Sequence, residues 1–254
     1  MTLFNRFKEI CLDGVPADYL FEKFNSAAGN EIQGGKIFSP RSSSALCMNA
    51  FGWFIERPEE FPAVKGLENL DWPALSVDIE CQLRFPWRGG RSPWLDAVIE
   101  TEHYLIGVES KRFEPFRKST PSSMSKTYWE DYWGGNMSGY QSERDKFRDK
   151  PKHYKHLSSR QLVAHSLGLK TQANKKNKKP VLLYIHCDKV VENPVLVSAK
   201  AVEKHHAEIA EFATSVSGDE VSFESLTYRE LLSAFTGGGL VTHSENLDKV
   251  YDLI

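Results

Sequence analysis

The spacing of the apolar residues changes once, near Leu75, and that change restricts the fold more than any other feature of the chain. Val77, Ile79, Cys81, Leu83 and Phe85 alternate with Asp78, Glu80, Gln82 and Arg84. Residues two apart share a face of a strand, so this segment reads as a half-buried strand. A Gly/Arg/Pro loop from Pro86 to Pro93 follows, and then Trp94 to Glu100 and Tyr104 to Lys111 form two more strand-length segments. Three successive strands joined by short connections predict an antiparallel meander.

Helical periods stand on both sides of it. Leu3, Phe4, Phe7 and Ile10 are spaced for one helix face, as are Tyr19, Leu20 and Phe24 after Pro16; SSSALCMNAFGWFI, from Ser42, opens with serines suited to cap a buried helix. The proline- and carboxylate-rich stretch from Arg57 to Pro73 reads as a surface connection. Beyond the meander, Ser158 to Leu169 returns to a helical period, Lys175 to Lys179 reads as a basic turn, and PVLLYIHCD has the apolar run of a central strand. An amphipathic helix over Ser198 to Val216, a strand over Val221 to Leu226 and a helix opened by the Thr227-x-x-Glu230 capping box complete the order. Helix, three strands, helix, strand, long helix, strand, helix predicts an α/β fold with a mixed central sheet flanked by helices. Residues 1–41 are expected to form a helical extension and residues 42–254 the main domain.

Composition narrows the class. With 254 residues, 41% apolar and 26% charged, the chain is long enough to bury a large core and is neither disordered nor collagen-like. Cys11, Cys47, Cys81 and Cys187 are scattered and form no C-x-x-C pair, which argues against a zinc cluster. No apolar run approaches membrane-spanning length, and MTLFNRFKEICLDG lacks a signal-peptide core, so a cytoplasmic protein without membrane contact is expected. The net charge of −2 conceals an asymmetry: residues 111–179 hold 17 Lys and Arg against 6 Asp and Glu, or +11, which leaves −13 for the remainder. Such a basic segment suits either a polyanion-facing surface or a solvated loop. Its aromatic residues, Tyr128, Trp129, Tyr132, Trp133 and Tyr140 among them, suit either base stacking or a packed helix with Trp129 and Trp133 at i and i+4.

The chemistry concentrates in SPWLDAVIETEHYLIGVESKRFEPF. Within one strand Glu109 and Lys111 project to the same face, and a hairpin with Glu102 and His103 as its two central residues would bring Asp96 opposite Glu109 on that face. An odd-numbered loop would bring it opposite Val108 instead. Two carboxylates so close repel unless a cation lies between them, and oxygen ligands suit Mg2+ or Mn2+. The lysine beside them could orient or deprotonate a water, or offset charge on a phosphate.

Pro93, Asp96 and Glu109-Ser110-Lys111 resemble the motif of the PD-(D/E)XK nuclease superfamily, whose fold is restriction-endonuclease-like. The phrases SSSALCMNAFGWF, WLDAVIE, GVESKRFEPF, HLSSRQLVAHSLGL, PVLLYIHCD and HHAEIAEFATSV followed by VSFESLTYRELL together resemble a bacterial branch of it, over roughly Ser42 to Phe235. The resemblance implies Asp96, Glu109 and the Ser110 carbonyl as metal ligands and Lys111 as the catalytic lysine. It departs in one respect: Pro93 stands three residues before Asp96 instead of next to it. The superfamily often uses a further upstream acid, for which Glu80 is the candidate beside its reading as an exposed strand carboxylate. It also often places a glutamine on the helix after the E-x-K strand. Gln161 fits that role and fits equally the capping box Ser158-x-x-Gln161. Ser43, Ser44 and Asn49 recur in the resemblance but are explained almost as well by capping and by hydrogen bonds within the helix, and His165 reads as a satisfied core histidine.

The function expected is therefore metal-dependent hydrolysis of DNA phosphodiesters, with Mg2+ or Mn2+ as cofactor. Arg112, Arg117, Lys118, Arg160, Lys175 and Lys176 are the candidate phosphate contacts. Two alternatives are a catalytically silent nucleic-acid-binding or complex-assembly protein that keeps the fold, and a hydrolase of smaller phosphate esters. A homodimer that cuts both strands is compatible with the sequence, although no coiled-coil heptad is present.

Overall fold

A computed structural model describes residues 1–254 except residues 28, 89–91, 118–122 and 192–196. Five strands form one sheet in the order of the chain: β1 (Ser76–Gln82), β2 (Trp94–Glu100), β3 (Tyr104–Lys111), β4 (Lys179–His186) and β5 (Ser222–Thr227). The first three pair antiparallel, and β4 and β5 add in parallel. Thr101 N–H donates to the Tyr104 carbonyl, which makes Glu102 and His103 the centre of a two-residue hairpin loop. That even loop sets the register at Ala97 opposite Val108.

Helices cover both faces, so the fold is α/β with a mixed sheet, as expected. On one face α1 (Leu3–Ile10), α2 (Ala17–Ser26), α3 (Ser43–Gly52), α7 (Tyr228–Ser233) and α8 (Gly238–Tyr251) pack over Val77, Ile79, Ala97, Ile99, Ile106, Val108 and Leu183. On the other, α4 (Ser138–Asp149), α5 (Ser159–Lys176) and α6 (Ala199–Ser215) pack over Leu95, Leu105, Leu182 and Tyr184. Within 1–41 the helices are α1, α2 and a 3-10 turn over Lys36–Phe38, and Phe7, Leu20, Phe24 and Ile37 enter the same cluster as Leu46 and Phe51.

The alternation expected from Val77 to Phe85 breaks. Val77 and Ile79 enter the first core, but Leu83 and Phe85 enter the second. Strand β2 does the same, with Ala97 and Ile99 in the first core and Leu95 in the second. The ladder pairs Ile79 with Ala97 and Cys81 with Leu95, so Glu80 stands opposite Asp96 where both strands switch faces. Glu80 takes a left-handed backbone there, φ 48°, a conformation costly for a residue with a Cβ and concentrated at functional sites. The register runs through this point without an inserted residue, so the change of faces comes from a local twist of both strands that re-aims their side chains.

Two glycines bring α5 onto the sheet. A Cβ on Gly107 would lie 3.2 Å from Leu169 Cδ1 of α5, and one on Gly168 of α5 would lie 2.8 Å from Leu83 Cβ. This close approach positions the helix for the contacts described below.

Candidate active site

Glu109 lies at the centre of the site and is 1% exposed. Lys111, two residues along the same face of β3, contacts Oε1, while His165 of α5 approaches Oε2 with its Nδ1 at 3.0 Å. Neither carboxylate oxygen has a partner in hydrogen-bonding geometry among the described residues. Asp96 sits at the face switch of β2, and its Oδ2 accepts the Ser110 N–H at 2.7 Å. A carboxylate thus takes a main-chain N–H of β3, just beyond the ladder pair Ala97 and Val108. The Ser110 hydroxyl turns to the opposite face, 2.6 Å from the Tyr228 hydroxyl.

The charges are strongly coupled. Burial, then Glu109, raises Asp96 well above the usual carboxylate range. Burial also pushes Glu109 upward, but Lys111 and His165 more than offset this and bring it to about 2. Of the two neighbouring carboxyls, Asp96 is therefore the more easily protonated and Glu109 the more readily ionised. Burial alone would lower Lys111; Glu109 and Asp96 outweigh it and hold the ammonium protonated. Such a lysine is suited to offsetting negative charge rather than to removing a proton. Glu80 is raised to about 7 by burial, then by Glu31 and Glu109.

This donor set fits a hard divalent cation. It offers the buried carboxylate oxygens of Glu109, which Lys111 and His165 approach only outside hydrogen-bonding geometry, with the Asp96 carboxyl beside it and no sulfur ligand in the set. Glu80, Asp96 and Glu109 are not, however, drawn into a group with all ligand atoms within 4.8 Å of one another. Among the described residues that closeness occurs at Asp71, Glu102 and His103, at the hairpin tip. There Asp71 Oδ2 is already taken by the His103 N–H at 2.8 Å and its Nδ1 at 3.1 Å.

The other sequence-chosen residues fall into separate places. Gln161 lines a recess of about 280 Å³ together with Lys111, Arg117 and Arg160. The expected cap is absent, since Ser158 precedes α5 without a side-chain cap bond. Gln161 and His165, four residues apart, lie on one face of that helix. Arg112 turns away: its guanidinium is buried, donates to the carbonyls of Pro40 and Tyr251, and stacks 5.1 Å from the Tyr251 ring. Phosphate contact by Arg112 is therefore corrected to a structural role. Lys175 and Lys176 belong to the last turn of α5 instead of a separate basic turn, and Lys176 pairs with Glu100. Eighteen helical residues put them on the order of 25 Å from the recess. Lys118 lies outside the described residues.

Other readings resolve as packing. Trp129 ends a short 3-10 turn and Trp133 lies beyond it, so they do not share a helix. Trp133 and Tyr140 are buried in the second core, which removes them as base-stacking surfaces. Asn49 is satisfied by the Leu12 N–H, the Ile10 and Ala45 carbonyls and Tyr251. His165, expected as a satisfied core histidine, is buried but brings its Nδ1 to 3.0 Å from Glu109 Oε2; its i, i+4 relation to Gln161 is the signal in the sequence.

A family model described as "Restriction Endonuclease associating with ARP" matches residues 8–251. The chain belongs to this restriction-endonuclease family. No curated protein and no solved structure gives a significant match. The family match begins within α1 and ends at the last residue of α8, so it takes in both faces of the sheet. Membership makes the chain restriction-endonuclease-like, and the mixed sheet with flanking helices agrees. No helix among the described residues is long and apolar enough to cross a membrane.

Proposed function

We propose that this chain hydrolyses phosphodiester bonds of DNA as a PD-(D/E)XK-type nuclease that uses Mg2+ or Mn2+. The observation that carries this reading is the placement of Asp96, Glu109 and Lys111 together, with Lys111 forming part of the wall of a cation-lined recess. Asp96 and Glu109 would hold the cation, with the Ser110 carbonyl and Glu80 as further oxygen donors. The bound cation would supply an activated water and charge neutralisation at the phosphate. Lys111, kept as an ammonium, would offset charge that develops on the phosphoryl oxygens. Gln161, on the recess wall, would orient the water or the phosphate. Arg117 and Arg160 would hold the flanking backbone, and two copies in a homodimer would cut both strands.

One observation favours the silent alternative: Lys111 and His165 already approach the two oxygens of Glu109, one from each side. A site closed in this way would bind nucleic acid without turnover. Titration of Mg2+ and Mn2+ against plasmid, linear duplex, single-stranded DNA and RNA separates the two, since cleavage of any of them excludes the silent reading. Lys111→Ala should leave metal binding by calorimetry nearly intact while lowering cleavage on the order of 100-fold or more. Equal cleavage by the variant would move the catalytic role away from Lys111.

A further inference from the structure

His165 and Glu109 meet in a way that a hydrogen bond does not explain. The two residues are 2% and 1% exposed, and His165 Nδ1 lies 3.0 Å from Glu109 Oε2. That is hydrogen-bond length, yet neither atom has a partner in hydrogen-bonding geometry among the described residues. The ring and the carboxylate are therefore not aimed along the line that joins them. Buried polar atoms left unpaired are uncommon in a native fold unless a further group serves them, and here two of them lie side by side.

Two lone pairs that converge on a third point have this geometry. Neighbouring ligand atoms about 2.0–2.2 Å from one cation, at roughly a right angle to each other, stand about 3 Å apart, and the separation of Nδ1 from Oε2 is 3.0 Å. Packing fixes the pair, because α5 reaches the sheet through Gly168 and through Leu169 on Gly107, one turn beyond His165. Lys111 approaches the other oxygen of Glu109, Oε1, so Oε2 is the one left to His165. Asp96 offers no oxygen within 4.8 Å of both atoms, and its Oδ2 accepts the Ser110 N–H. Glu109 and His165 are thus the pair that already stands at coordinating separation.

We propose that His165 Nδ1 is a ligand of the cation that Glu109 holds, which makes the site one of mixed nitrogen and oxygen donors and selects Mn2+ and the later divalent transition ions over Mg2+. A neutral imidazole with a free lone pair is a cation ligand, and ligation through Nδ1 leaves the ring proton on Nε2. Mg2+ keeps to oxygen and sheds its waters reluctantly, whereas affinity for a site that includes nitrogen rises along the transition series from Mn2+. The inference rests on the nuclease reading for its cation, and it adds a ligand and a preference among metals.

The test is pulsed electron paramagnetic resonance of Mn2+ bound to the unaltered chain without nucleic acid. A directly bound imidazole should give nitrogen-14 modulation, which should change to that of nitrogen-15 in protein labelled at the histidine ring nitrogens. His165→Gln, or His165→Asn as a second variant, should remove the coupling, with circular dichroism confirming the fold. Calorimetry should then show the ratio of Mn2+ to Mg2+ affinity falling on the order of tenfold or more, since losing even an outer-shell partner of a ligand costs about 10–100-fold. Bound Mn2+ without histidine coupling, or no Mn2+ bound at all, would overturn the inference, and neither result depends on how a variant folds. Coupling that persists in the folded variants would overturn it too, by placing the ligand at another histidine. Histidine coupling that His165→Gln removes, without cleavage of any polynucleotide under any metal, would sink the nuclease reading and leave the inference standing. Cleavage with Mn2+ whose spectrum carries no histidine nitrogen would do the reverse.

Discussion

Lys111 and Arg112 are neighbours in sequence, both cationic and both largely buried, yet they have opposite surroundings. Lys111 faces α5, where it meets the Glu109 carboxylate and where burial raises the affinity of a second carboxyl, Asp96, for its proton. Arg112 faces α3 and α8, where Pro40, Tyr251 and Asn49 form a network with its donors and acceptors paired. Burial therefore does not separate structural charge from functional charge. Satisfaction does: the Arg112 lock is complete in hydrogen bonds, while at the Lys111 site Lys111 and His165 reach the Glu109 oxygens only outside hydrogen-bonding geometry.

The largest effect expected from this contrast is on the complete side. Arg112→Ala leaves the Pro40 and Tyr251 carbonyls unpaired and should cost about 3–5 kcal/mol in chemical denaturation, since each lost bond to a charged donor is worth roughly 1.5–3 kcal/mol. Thermal unfolding should fall by roughly 10 °C, given about 2–4 °C per kcal/mol for a chain of this size. Arg112→Lys should restore little, because a point charge cannot reach both carbonyls as the planar fork does. Wild-type stability in the alanine variant would mean that the lock is not structural.

The second expectation runs in the opposite direction. Asp96 is raised above its unfolded-state value, so the folded chain binds the proton more tightly than the unfolded one. Stability from this group is then present at low pH and lost as pH rises from about 4 toward the folded value, at up to about 1.4 kcal/mol per pH unit. Asp96→Asn keeps an acceptor for the Ser110 N–H and removes that loss. In chelator-treated protein the variant should match the wild type near pH 4 and exceed it increasingly as pH rises. Saturating Mg2+ should reverse the order if Asp96 is a ligand, because binding to the folded state stabilises it. A variant less stable than the wild type at pH 8 without metal would contradict the reading of Asp96 as a strained functional group.

The same distinction explains how much could be read from the sequence. Strands β2 and β3, the two-residue hairpin, α6 and the Thr227 capping box follow local rules, so periodicity and turn chemistry locate them almost to the residue. The joint switch of faces at Glu80 and Asp96 follows no local rule. It needs a left-handed glutamate and a partner strand that bends at the same place. Glu109 and Lys111 were legible as neighbours because two-residue periodicity orders them, and Asp96 through the even hairpin loop that sets its register. His165 and the Arg112 lock were not, because what they meet is set by α5 crossing Gly107 and by α8 returning to α3, contacts between segments far apart in the chain.

The smallest expected effect tests whether satisfaction also sorts the surface cations. Lys176 is paired with Glu100, and both Lys175 and Lys176 lie at the far end of α5 from the recess. Arg117 and Arg160 lie at the recess without a carboxylate partner among the described residues. Each lysine or arginine that meets a duplex phosphate contributes about 0.9 to the slope of log affinity against log salt. Arg117→Gln with Arg160→Gln should therefore flatten that slope by up to about 1.8, while Lys175→Gln with Lys176→Gln should change it by only a few tenths. Anisotropy of a labelled duplex between 50 and 200 mM salt, in Ca2+ to suppress cleavage, spans the range in which such slopes are steep. Equal flattening by the two pairs would extend the contact surface along the whole of α5, and a cation already paired within the chain would then have exchanged Glu100 for phosphate.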